Sequence, residues 1–229
     1  MIQDPASIAR PERPDSLTRQ VQDILSEMLL SGQLRPDDRM SMRDLADRLG
    51  VSVMPVREAV GRLMASGALE VRPNRAVAVP VLTRAGFKDL TQIRIHNETY
   101  AVRLAAERMT VPAMDEMRHL DRRFRDSLAN PDGRLAVQAN KALHFHIYEA
   151  AGSPVLSEVI STMWLKAGPV INLDLGDASR RNRNAASVRN HGDLVAAIER
   201  RDGEAAAMAL AADIRSAAEF ILSRDVLRG

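Results

Sequence analysis

Five histidines and no cysteine narrow the chemistry open to this 229-residue chain. Disulfides and cysteine-bound zinc are excluded, so any metal must be held by nitrogen and oxygen donors. Asn140 and His144 are four residues apart, which places both side chains on one face of a helix. His191 and Asp213 fall on two later helices. A histidine in such a setting is equally a core residue held by a hydrogen bond, and the spacing alone leaves both readings open. His96, His119 and His146 have no partner at ligand spacing and read as structural or solvated. Arg94 and Glu98 share the i, i+4 spacing of an ordinary helix ion pair, worth a few tenths of a kcal/mol. Arg57 is the fourth chemical feature: a guanidinium on the free side of a short helix, suited to bidentate contact with guanine.

The elements that must position Arg57 lie between Ser41 and Leu69. Ser41 caps a first helix whose apolar side is Leu45, Ala46 and Leu49, and Gly50 ends it. Ser52 starts a second helix, with Met54 and Pro55 in its first turn. Val56, Val60 and Leu63 form its buried stripe, and Met54, Arg57 and Gly61 lie opposite. Two short β-prone runs follow, Leu69–Arg72 and Val77–Val81, with Pro73-Asn74-Arg75 as the turn between them. A helix pair, a turn and a two-stranded wing make a winged helix-turn-helix. The same spacing also describes a plain pair of packed helices with solvated arginines.

Around this head the chain divides into a tail over residues 1–15, a DNA-binding domain over 16–81 and an all-α domain over 82–229. Ser16 is expected to cap a first helix with a stripe of Leu17, Val21, Ile24, Leu25 and Met28. Beyond Thr83 successive helices are expected from Ala85 to Met109, with Leu90, Ile93, Tyr100, Val102 and Leu104 inward, and then through Met114, Met117, Leu120, Phe124 and Leu128. Others cover Leu135–Ala151, Val155–Lys166, Ala185–Arg200 and Gly203–Val226. Gly168-Pro169 interrupts or ends the helix begun at Val155, and 172–184 reads as a polar loop or helix start. Six or seven helices make a bundle, and the fold class is mainly α. The net charge of +2 excludes a global basic field, so nucleic-acid binding must rest on locally placed arginines. No apolar run reaches the ~18 residues that span a bilayer, and no signal-like segment opens the chain. A cytoplasmic protein with no membrane partner is expected.

The residues just named, with Gly32-Gln33-Leu34-Arg35-Pro36, Gly50-Val51-Ser52 and Pro55-Val56-Arg57-Glu58-Ala59-Val60, resemble the GntR family of bacterial transcription regulators. Arg94-x3-Glu98, Leu143-His144 ahead of Glu149-Ala150-Ala151-Gly152, and His191-x6-Ile198 resemble the helical sensing (FCD) domain of its FadR subfamily. The resemblance implies a homodimer on palindromic operator DNA, expected to be a repressor, that lets go or changes grip when a small metabolite, expected to be an organic acid, binds the helical domain. It implies base contacts from Arg57 and Arg43, contacts from the Ser52-Val53-Met54-Pro55 segment, and phosphate contacts from Ser52, Asn74 and Arg75. Val53-Met54 replaces a frequent Arg-Thr, which points to an altered operator in which an apolar side chain meets a thymine methyl. Ala76 stands where a wing glycine is common. In the second domain the resemblance implies a divalent metal site at Asn140, His144 and His191, with Asp213 where a fourth histidine is usual. Such donors suit Zn, Ni or Mn. Arg94 would hold an effector carboxylate, and Tyr148, one turn beyond His144, would line the same pocket. No enzymatic activity is expected. The competing readings are a metal-dependent enzyme built on the same four residues, and a helical interaction module that needs no ligand.

Overall fold

The structure is a computed structural model that describes residues 14–73, 76–130, 133–175 and 181–229. Its N-terminal part comprises α1 (Pro14–Leu30), β1 (Arg39–Met40), α2 (Met42–Leu49), α3 (Val53–Ala65), β2 (Glu70–Val71) and β3 (Val77–Ala78). The Ser41 hydroxyl accepts from the Asp44 N–H at 2.9 Å, and Gly50 closes α2 in the left-handed conformation, φ 66°. Val56, Val60 and Leu63 are buried against Val21, Leu25, Leu29, Leu34 and Leu45. Helix α1 departs from expectation at its start and in its rotation. It begins at Pro14, where a proline without an N–H is harmless, so Ser16 is not its cap. Leu17 and Ile24 are exposed, while Thr18, Val21, Leu25 and Leu29 face inward. The Thr18 hydroxyl donates to Glu58 of α3 at 2.8 Å, and that bond requires the turned orientation.

The wing is shorter than expected and gains a strand. The sheet order is β1-β3-β2, all antiparallel, with Met40 and Val71 both opposite Val77. Strand β1 comes from the stretch leading out of the turn-rich link. The turn residues Asn74 and Arg75 lie outside the described residues, as do the tail up to residue 13 and part of the polar 172–184 stretch.

The C-terminal part comprises α4 (Arg84–Arg108), α5 (Val111–Ser127), α6 (Gly133–Ala150), α7 (Pro154–Leu175), α8 (Arg181–Glu199) and α9 (Gly203–Leu222). Thr83, Thr110 and Asp202 cap α4, α5 and α9 with side-chain oxygens. Helices α4 and α9 run side by side on small residues: Ala101, Ala105 and Ala106 from one, Ala206, Ala207 and Ala211 from the other, all buried. A Cβ on Gly203 would stand 3.3 Å from the Arg103 Cα. The chain end returns to this pair, where Arg84 N–H donates to the Arg228 carbonyl and Arg228 N–H to that of Leu82.

Two expectations fail here. Helix α7 does not stop at Gly168-Pro169 but runs through both to Leu175. The proline removes one helical hydrogen bond, yet Met163, Trp164, Ala167 and Val170 are buried on either side of it, and that burial holds the helix together. The inner face of α4 is also rotated. Ile93 and Tyr100 are 48% and 53% exposed, while Phe87, Arg94, Ile95, Glu98, Val102 and Ala105 face inward. Among the described residues no helix is long and apolar enough to cross a membrane.

Candidate functional site

The face expected to read DNA is the outer side of α3. Met54 is 62% exposed, and Arg57 and Gly61 stand free beside it. Ser52 sits at the N-cap position in extended conformation, but its hydroxyl makes no capping bond and stays exposed. Arg43, in the first turn of α2, is exposed as well. Two members of the expected contact set are placed differently. Pro55, expected among the DNA contacts, is buried in the first turn of α3. Val53 is half-buried and packs on the core of the head, so Met54 is the apolar side chain that reaches outward.

The second site lies inside the helical part. Here α4, α6, α7, α8 and α9 direct polar side chains toward a small cleft lined by Arg94, Asn140, His144, Trp164, Asn172 and Asp213 among others. His144 and His191 bring their Nε2 atoms to 3.1 Å, and the Asp213 Oδ2 is 3.6 Å from each. His144 and His191 are buried to 2% and 0% exposure. Four residues from three helices, two paired by spacing and two added by resemblance, therefore converge: three place donor atoms within 4.8 Å of one another, and Asn140 lines the same cleft.

A buried chain of hydrogen bonds fixes the proton on His144. The Tyr148 hydroxyl donates to Glu98 Oε2 at 2.5 Å, so toward His144 it can only accept. Its 3.0 Å contact with His144 Nδ1 thus places the hydrogen on Nδ1 and the lone pair on Nε2, facing His191 and Asp213. Burial, and after it the Glu98 charge, raises the Tyr148 pKa well above its ordinary value and keeps the phenol protonated. Burial also lowers His144, to about 3, helped by His191 and Arg94 and opposed by Asp213. His144 is consequently a neutral ligand-ready imidazole at any ordinary pH. For Asp213 burial is the largest influence and works against ionisation, but His191, His144 and Arg94 together outweigh it and hold the carboxyl below its usual value.

These donors fit a divalent ion. Ligand atoms on a common metal at about 2.1 Å stand roughly 3.0–3.4 Å apart, close to the separations found. A neutral imidazole whose other nitrogen is held in place, as Tyr148 holds that of His144, and a carboxylate are the usual donor chemistry for such an ion. The other ring nitrogen of His191, the buried Nδ1, has no hydrogen-bond partner among the described residues.

Arg94 sits beside this cluster. Its Nε donates to Glu98 Oε1 at 2.8 Å, and its guanidinium carbon lies 5.0 Å from the Trp164 ring centre. The pair is buried, unlike the solvated i, i+4 pair the spacing also allowed. Glu98 thus serves two partners, Arg94 and Tyr148. The sequence marked the first; only the fold reveals the second. Trp164 and Asn172 went unmarked, because nothing in local spacing links α7 to the histidines.

A winged helix-turn-helix joined to an all-helical domain with a polar interior cleft defines a class: a DNA-binding transcription regulator rather than an enzyme. Comparison with known proteins agrees. Residues 17–79 match the bacterial regulatory proteins of the gntR family, and residues 89–216 match the FCD domain. The chain belongs to the GntR family of transcriptional regulators and carries the FCD domain. It is 32% identical over 189 residues to the HTH-type transcriptional regulator McbR of Escherichia coli K12, covering 82% of this chain and 85% of that one. The solved structure of E. coli McbR/YncC superposes with a TM-score of 0.84 at 29% identity, over 90% of this chain and 97% of that chain. A probable D-xylose utilization operon transcriptional repressor of Paenarthrobacter nicotinovorans is 27% identical over 183 residues, 78% of this chain and 80% of its own.

Proposed function

We propose that this regulator is a repressor that binds operator DNA as a homodimer and changes its grip when a small carboxylate and a divalent ion occupy the cleft. The convergence of His144, His191, Asp213 and Asn140 beside Arg94 carries this reading. Those four residues would hold a Zn, Ni or Mn ion, which supplies a positive centre for an anion. Arg94, stacked on Trp164 and braced by Glu98, offers its guanidinium to the same anion. Tyr148, expected to line the pocket, orients His144 through its hydroxyl. The repressor sign is consistent with the name of the Paenarthrobacter relative.

On the output side, Arg57 and Arg43 read base edges, Met54 meets a thymine methyl, and Ser52 with Asn74 and Arg75 contacts phosphate. One such head buries too little surface for tight specific binding, so two copies act together. The exposed Ile93, Tyr100 and Met208, on the neighbouring α4 and α9, give the helical part an apolar outer face for that pairing. The functional boundary falls at residues 81 and 82, with the head over 16–81.

The test is a titration of the metal-free full chain with Zn, Ni and Mn by calorimetry, then a thermal-shift screen of small organic acids with and without the bound ion. Binding lost in His144→Ala and Asp213→Ala, and acid-dependent stabilisation that needs the ion, are expected. Alongside, binding to the DNA upstream of its own gene should weaken steeply with salt, as arginine–phosphate contacts require. No heat on metal titration in the wild type overturns the metal site; metal binding with no acid-dependent shift overturns the carboxylate.

A further inference from the structure

The last turn of α1 poses an accounting problem, since its final carbonyls have no partner within the helix. Two are met locally: Ser31 N–H donates to Glu27 O at 2.8 Å, and Leu34 N–H to Met28 O at 3.0 Å. The other two belong to Leu29 and Leu30, and one distant side chain serves both. Asn172 Nδ2, 142 residues further along the chain, donates to Leu30 O at 2.9 Å and to Leu29 O at 3.3 Å. The carbonyls are acceptors only, so the amide orientation follows. Asn172 is at the same time part of the lining of the polar cleft, two turns after Trp164 on α7.

The surroundings leave this contact little slack. A Cβ on Gly168 would lie 3.2 Å from Leu29 O, so the two backbones touch. Gly32, at φ +73°, would bring a Cβ within 3.1 Å of the Asn172 Cβ. On its other side α1 packs on α3 through Val21 and Leu25 and the Thr18–Glu58 bond. A shift at the end of α1 is therefore a shift of the helix that holds the recognition helix in place.

We propose that Asn172 is the residue through which occupancy of the cleft reaches the DNA-reading head. An anionic acceptor group in the cleft and the end of α1 compete for one amide N–H₂. A carboxylate that takes the Nδ2 hydrogens leaves the Leu29 and Leu30 carbonyls unmet and loosens α1 from α7. The inference rests on the cleft being the ligand site, and it adds the route by which that site regulates binding.

The experiment measures the affinity of the full chain for its upstream DNA without ligand, with nickel ion, and with nickel plus malonate as a probe dianion. By linkage, the ratio of DNA affinities equals the ratio of probe affinities with and without DNA. In the wild type a factor of about 5–150 is expected. In Asn172→Ala and Asn172→Asp, neither of which can donate to the carbonyls, the factor falls to one. Calorimetric nickel binding persists, because Asn172 is not among the ion's donors. Hydrogen exchange over residues 29–34 accelerates in both variants, and in the wild type on adding probe. Wild-type coupling retained in both variants overturns the proposal, even if their exchange is faster, since Asn172 would then be a structural cap alone. If neither nickel nor nickel–malonate binds the wild type, the cleft reading has failed instead. The proposed route then falls with it, whatever the variants show.

Discussion

Tyr148→Phe removes one oxygen atom and separates the metal reading from a plain buried network. In the wild type that oxygen donates to Glu98 at 2.5 Å and accepts from His144 Nδ1 at 3.0 Å. The variant keeps the ring and its packing but strands the Nδ1–H and takes one donor from a buried carboxylate. Glu98 keeps Arg94 at 2.8 Å, so the stranded imidazole donor dominates the cost, about 1–3 kcal/mol of folding stability. The effect on the ion is distinct. Without an acceptor, nothing holds the hydrogen on Nδ1, and the Nε2 lone pair that faces His191 and Asp213 is no longer guaranteed. Loss of such an orienting partner weakens metal binding by about 10–100-fold, or roughly 1.4–2.7 kcal/mol. Calorimetry against nickel or zinc, urea unfolding of the metal-free protein, and nitrogen chemical shifts of the His144 ring give the three readouts. A variant that loses stability yet binds metal as tightly as the wild type refutes the relay as an orienting device.

Three further outcomes follow from the geometry. Arg57→Ala should cost about 1–3 kcal/mol of operator binding and relax preference at one base pair, and Arg57→Lys should recover affinity but not preference, read by fluorescence anisotropy on single-base variants of the site. Ser41→Ala should cost about 1 kcal/mol in urea unfolding, since the Asp44 N–H loses its 2.9 Å acceptor. The metal-free protein should also lose stability as pH falls below 6.5. His144 stays neutral when folded because its pKa is lowered to about 3, so the unfolded chain takes up the proton first and stability is withdrawn progressively between those values. His144→Asn should flatten that slope in unfolding free energies measured across the window.

The head was nearly transparent in the sequence because its signals are local. A serine cap, a glycine beyond the helix end and a stripe at 56, 60 and 63 each state their own geometry. Strand β1 was invisible because two residues carry no alternation, and only pairing with β3 makes them a strand. On α4 the pattern misled. Ile93 and Tyr100 are the apolar residues a periodicity search turns inward, yet the interior takes Arg94 and Glu98. A helix that feeds charged groups into a buried site breaks the hydrophobic rule, and the breach itself marks the site. The donor set was legible as residue types and only partly as places. Spacing brought Asn140 and His144 together, resemblance added His191 and Asp213, and the fold placed them in one cleft. Asn172 was hidden for a different reason: a polar run after a proline reads as a loop, and burial of the preceding turns made it helix.

The alanines between α4 and α9 have a mechanical consequence. Side chains with no rotamers cannot absorb displacement by repacking, and backbones as close as Gly203 and Arg103 cannot slide without collision. Arg94 rides on one of these helices and Asp213 on the other, so both are anchored to one closely packed frame. The pair behaves as a stator, a frame against which any movable part must work. The compliant member is then α7, whose proline removes a hydrogen bond in mid-span and whose far side bears on α1. Rigidity and give are thus assigned by composition, alanine for the anvil and Gly168-Pro169 for the lever.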